Sequence, residues 1–97
     1  VVTDASLSKA DLKKVAQMAH DGVAREIRPV HTQFDGDTLF AVSTASALQN
    51  AGEALNSASS LNSIGVAAAR AVELAIIDAV TAAHSLSGCV ASRDWLM

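Results

Sequence analysis

With 97 residues, the chain has room for one small domain. A hydrophobic share of 51% excludes a disordered tail, and a net charge of -3 without a basic cluster argues against nucleic acid as the main partner. A single cysteine excludes a disulfide scaffold and suits a reducing, cytoplasmic compartment. No apolar run is both long and uncharged enough to span a bilayer, because the Ala-rich stretch carries Arg70, Glu73 and Asp78. Val1–Asp4 has no basic region and no apolar run behind it, so no secretory signal is expected. So greasy a composition in so short a chain points to a subunit or a processed fragment whose surface is covered by something else.

Val1-Val2-Thr3 is β-branched and reads as a strand whose beginning is missing. Ser8-Lys9-Ala10-Asp11 is a helix start, with Ser8 as the cap and Asp11 as a short-armed reciprocal acid. Leu12, Val15, Ala16, Ala19, Val23 and Ile27 then form one helical stripe, with Lys13, Lys14, Gln17, Asp21 and Arg25 opposite. Gly22 weakens that helix by up to about 1 kcal/mol, which close packing would explain. Pro29 ends it, because the residue before a proline is pushed out of the α region.

His31–Asp37 is a loop, and Thr38–Thr44 is the best strand of the chain, apolar enough at consecutive positions to be covered on both faces. Residues 45–60 read as a surface excursion, with a helical turn available to Ala51–Leu55. A second helix is expected from Leu61 or Asn62 to about His84. Its polar edge is thin (Arg70, Glu73, Thr81, His84), so it should be packed on most of its circumference. The tail from Gly88 ends in Trp95-Leu96-Met97, an apolar tip expected to dock. The predicted order is strand–helix–strand–helix. Two strands are marginal alone, so the rest of the sheet must come from elsewhere.

The one dense polar constellation is His31-Thr32-Gln33-Phe34-Asp35-Gly36-Asp37-Thr38. Asp35 and Asp37, two residues apart at a strand entrance, would hold a neighbouring ammonium group firmly. Turn chemistry is the plainer reading of Asp-Gly and is favoured from spacing alone. A calcium loop lacks its further oxygen ligands and bidentate Glu. His20, His31 and His84 are far apart in sequence and match no zinc pattern. His20 and His84 read as helix-surface or half-buried polar residues rather than ligands. Cys89 sits in a loose tail with only Arg93 as a basic neighbour, a poor setting for a catalytic thiolate. No phosphate-cradling glycine loop or nucleophile elbow is present, and neither a cofactor nor a metal is expected.

The run Ala24–Val42, with its Pro29-Val30-His31-Thr32-Gln33-Phe34-Asp35-Gly36-Asp37-Thr38-Leu39-Phe40 core, resembles the signature of the DmpA-type aminopeptidases. That family includes D-/L-aminopeptidases, β-peptidyl aminopeptidases and nylon-oligomer hydrolases. Val2–Ala5, Met18–Gly22 and the Ala-rich second helix are similar in order and spacing, while residues 45–60 and the tail from Gly88 are not matched. The resemblance implies the smaller β chain of a self-cleaving precursor, spanning residues 1–97. Its strand–helix–strand–helix order would be half of a four-layer αββα sandwich completed by a separate α chain. It implies a Thr or Ser nucleophile about five residues ahead of Val1, a spacing carrying the usual register error. Asp35 and Asp37 would belong to the network around that nucleophile. The implied partners are the α chain, further αβ units and a small peptide or amide substrate, with no nucleic acid and no membrane.

Two other readings stand beside this one. A non-catalytic α/β subunit or binding module would share the fold but not the chemistry. A helical partner-binding domain built on the Ala-rich helix would contain little sheet.

Overall fold

Two strands and two helices alternate along the chain: β1 (Val2–Thr3), α1 (Lys9–Glu26), β2 (Val42–Ser43) and α2 (Ser57–Ala82), followed by a 3-10 turn at Ser92–Asp94. The predicted element order is thus present in a small α/β unit, mostly helical, with a short parallel β1–β2 pair. The computed structural model describes residues 1–46 and 57–95.

α1 begins as its sequence dictates. Ser8 is extended, at φ −69° and ψ 165°, and its Oγ accepts the Asp11 N–H at 3.1 Å. Asp11 sets a carboxylate in the first turn, where the helix end is positive. Of the predicted stripe, Val15, Ala19 and Val23 are buried and Leu12 and Ala16 half-buried, while the five opposite polar residues are exposed. Ile27 departs from the stripe. It is the C-cap, extended at φ −114° and ψ 124°, with its N–H still bonded to the Val23 carbonyl. The chain leaves the helix there, just ahead of the Arg28–Pro29 pair.

α2 runs in the same direction as α1 and lies against it closely. Met18 sits over Gly65, Gly22 over Ala69, and Arg25 opposite Glu73. A Cβ added at Gly22 would stand 3.0 Å from the Glu73 nitrogen and from Val72 Cβ, and closer still to the Ala69 carbonyl oxygen. Gly22 is therefore where the two backbones approach. Glu73, on the predicted polar edge, lies at the seam and pairs with Arg70 at 2.9 Å and Arg25 at 3.6 Å. The core is small: Val15, Ala19 and Ala68, ringed by Val1, Leu7, Leu39, Ala41, Leu61, Ile64 and Val72.

Three expectations are corrected. The strand predicted over Thr38–Thr44 is laddered to β1 at Val42–Ser43 among the described residues. It is covered on one face: Leu39, Ala41 and Ser43 turn toward the helices, while Phe40, Val42 and Thr44 are exposed. α2 starts earlier than expected, at Ser57, and ends at Ala82. It is packed along one stripe rather than around its circumference, leaving Val66, Leu74, Ile77 and Val80 exposed. The turn expected at Ala51–Leu55, and most of the 45–60 excursion, lie outside the described residues.

The tail is ordered rather than loose. Leu86 and Cys89 exchange both backbone hydrogen bonds across Ser87 and Gly88, whose φ values of 46° and 85° suit a two-residue hairpin turn. The chain then folds back on the end of α2. Ser92 Oγ donates to the Val80 carbonyl and Arg93 Nη2 to the Thr81 carbonyl, both at 2.7 Å. Ser85 Oγ donates to Asp94 and accepts the Ala91 N–H. Trp95, expected to dock, is 73% exposed.

Candidate active site

The polar run found in the sequence lies between the end of α1 and β2, on the connection that carries the chain back to the sheet. Once Ile27 has left the helix, the backbone turns sharply and His31 takes the left-handed region, at φ 57°. Thr32 and Asp35 then close a turn on each other. The Asp35 N–H donates to the Thr32 carbonyl at 3.0 Å, and Asp35 Oδ2 accepts the Thr32 N–H at 2.8 Å. This is the turn chemistry favoured from spacing, and it fixes one oxygen of the Asp35 carboxylate. Thr38 Oγ1 donates to the Gly36 carbonyl at 3.3 Å. Residues 31–38 are exposed throughout, including Asp35 and Asp37.

The strand pairing relates this loop to the start of the chain. Val2 pairs with Val42 and Thr3 with Ser43, in parallel, and the Val1 amino group donates to the Phe40 carbonyl at 2.8 Å. Each position on β1 thus faces the position 40 further on. By that register Val1 stands level with Ala41, four places along from Asp37 on the neighbouring segment.

The histidines are not all apart. His20, on α1, meets His31 ring to ring, edge to face, with centroids 5.2 Å apart and planes at 67°. His20 is half-buried, and its Nδ1 is buried without a hydrogen-bond partner. Sequence reasoning treated the two separately. The signal available was the position of His20 beside the Ala19–Val23 stripe, one helical turn and a half ahead of the end of α1. Among the described residues no group of three or more His, Cys, Asp or Glu side chains could hold a metal ion. His84 and Cys89 are exposed, and Cys89 stands on the hairpin turn, remote in the chain from the Asp35–Asp37 loop.

A parallel β–α–β unit that presents two carboxylates on the loop entering its second strand defines a scaffold for polar chemistry at the strand's start. The profile of peptidase family S58 matches residues 1–93, and the chain belongs to that family. It is 43% identical over 93 residues to a protein of Mycobacterium leprae named as an uncharacterized aminopeptidase, an alignment covering 91% of this chain and 26% of that one. A Mycobacterium tuberculosis protein, also named as an uncharacterized aminopeptidase, is 36% identical over 99 residues, covering 97% of this chain and 29% of its own. A 6-aminohexanoate-oligomer endohydrolase of Paenarthrobacter ureafaciens is 46% identical over 44 residues, covering 45% of this chain and 12% of its own. The chain thus spans little more than a quarter of the length of the curated aminopeptidases it matches. No solved structure matches it. Among the described residues no helix is long and apolar enough to cross a membrane.

Proposed function

We propose that the chain is the β chain of a self-processed amide hydrolase whose nucleophile is an N-terminal Thr or Ser, lying ahead of Val1, with Asp35 and Asp37 in its active site. The observation that carries this reading is the strand register. A shift of 40 positions between β1 and β2 means that a strand continued back from Val1 in the same register would run beside residues 40, 39 and 38 and then reach 37, 36 and 35. A hydroxyl residue about five places upstream, the spacing the family resemblance implies, would fall level with Gly36, between the two carboxylates.

The chemistry follows from that neighbourhood. A Thr or Ser hydroxyl is a weak nucleophile until a base takes its proton, and the residue's own α-amine, when neutral, can be that base. The hydroxyl oxygen attacks the amide carbonyl and the proton passes through the amine to the departing nitrogen. An ester remains, which water then hydrolyses to free the enzyme. Asp35 and Asp37 orient the amine and offset the positive charge it acquires, and the donors that stabilise the oxyanion belong to the rest of the protein. The substrate is a peptide or related amide. The exposed Cys89 thiol suits a reducing, cytoplasmic setting.

Completion of the fold by a separate α chain into a four-layer αββα sandwich is part of the same proposal. The outer face of the sheet bears exposed Val2, Phe40 and Val42. Open, mostly apolar grooves flank the layer, one between the start of α1 and residues 39–41, another between β1 and α2. A second sheet on that face and further helices in those grooves account for both. Further αβ units would then associate through the apolar surface of α2.

Intact-mass spectrometry of the full-length protein tests the reading. Two chains are expected, the smaller starting with Thr or Ser shortly before Val1. Asp35→Asn and Asp37→Asn are each expected to lower amide hydrolysis by about a hundredfold or more. A single uncut polypeptide, or unchanged rates in both variants, defeats the proposal and favours a non-catalytic module.

A further inference from the structure

We propose that His20 is a positioning residue for the Asp35–Asp37 loop, acting through ring contact with His31; the inference rests on the catalytic reading of that loop. Three observations lead to it. First, residues 31–38 are exposed, and the hydrogen bonds of Thr32 with Asp35 and of Thr38 with Gly36 stay within the loop, whereas the ring contact reaches out of it to α1. Second, the contact joins a rigid element to a strained one. His20 is half-buried and lies between buried Ala19 and Gly22 on α1, so its backbone is fixed in the helix, whereas His31 sits at φ 57° in the loop, a conformation that costs a non-glycine residue free energy and needs surroundings to hold it. The edge-to-face contact at 5.2 Å is one such support. Third, His20 carries a buried Nδ1 with no partner, so a hydrogen bond from that atom does not explain its burial. The ring, not that nitrogen, does the holding.

The consequence runs outward in short steps. His31 fixes the start of the loop. Thr32, its neighbour, is locked to the Asp35 carboxylate, and Asp37 follows two residues on. Release of His31 lets this turn swing as a unit, leaving the carboxylates intact but misdirected. Misplacement of that kind lowers the rate of the chemical step while leaving substrate affinity nearly unchanged.

The test uses the processed full-length protein, with aminoacyl p-nitroanilides and linear 6-aminohexanoate oligomer as the two probe substrates. His20→Ala is expected to lower kcat about tenfold or more on whichever probe is cleaved, with KM within about twofold of wild type. His20→Phe keeps an aromatic edge for His31 and removes the unpaired nitrogen, so it is expected to recover most of the lost kcat. The His31 ring proton resonances, read by histidine-selective labelling, are expected to lose a ring-current shift in His20→Ala and regain one in His20→Phe. Wild-type kcat in His20→Ala alongside an inactive Asp37→Asn overturns this proposal alone. A His20→Phe protein that regains the ring-current shift but stays as slow as His20→Ala also overturns it, since the imidazole itself would then be required. Full activity in Asp37→Asn removes the catalytic reading of the loop, and this inference with it.

Discussion

Gly22 separates two kinds of small residue in this chain. Its missing side chain is required by backbone atoms of α2, namely the Ala69 carbonyl and the Glu73 nitrogen. Gly65 instead faces the sulfur and methyl of Met18, which can swing aside. Gly22→Ala should therefore destabilise the protein by about 1–3 kcal/mol despite its better helix propensity, because the helices must part. Gly65→Ala should stay within about 1 kcal/mol of wild type, since Met18 yields and the propensity gain compensates. Denaturant melts of the two variants check both values, and equal losses would show that Met18 is as immovable as backbone. The need for closeness at Gly22 was legible in the sequence, because a glycine inside a good amphipathic stripe asks for a packing reason. The His20–His31 contact was not. It depends on a positive φ at His31, which local composition does not specify.

At the scale of elements, α1 was legible from end to end and the strands were not, for a physical reason. The signals of α1 lie within its own span: Ser8 at the cap, the stripe, and Pro29 beyond the end. Ser8→Ala, which removes the acceptor for the Asp11 N–H, should cost about 1 kcal/mol of unfolding free energy. Strand length depends on the partner: beside a β1 of two residues the predicted strand is laddered at Val42–Ser43, with the Phe40 carbonyl bonded to Val1 just ahead of it. The tail shows the same limit. Its hydroxyls and Arg93 satisfy carbonyls at the end of α2, a role fixed only once the hairpin at Ser87–Gly88 turns the chain back. Ser85→Ala removes the link to Asp94 and the acceptor for the Ala91 N–H. It should cost about 1–2 kcal/mol and speed amide hydrogen exchange across residues 80–95, with α1 unaffected. Unchanged exchange there would mean that the tail is held by other contacts.

For the whole molecule, shape and burial give one argument. The chain measures 57 × 25 × 19 Å with a radius of gyration of 16.8 Å. A compact domain of similar length has a radius of about 13 Å. Such an elongated layer encloses little, and its three buried cluster residues are one valine and two alanines. The apolar excess seen in the composition is accounted for by exposed residues, among them Phe40 at 75% and Val2 at 73% on the bare face of the sheet. Phe40 is the sharpest reporter of what covers that face, because its neighbours Leu39 and Ala41 already pack against the core while Phe40 itself is exposed. If the remainder of the protein packs a second sheet there, Phe40→Ala should lower the unfolding free energy of the full-length protein by about 3 kcal/mol or more, the loss typical of a buried phenylalanine. An exposed phenylalanine would change it by no more than about 0.5 kcal/mol. The same substitution also reads on function. The Phe40 carbonyl accepts a hydrogen bond from the Val1 nitrogen, so disturbance of its packing moves the point where β1 meets the segment leading from Asp37. Phe40→Ala should therefore slow self-cleavage of the precursor as well as destabilise it, and a precursor that matures at the wild-type rate with unaltered stability would show that this face stays open to solvent.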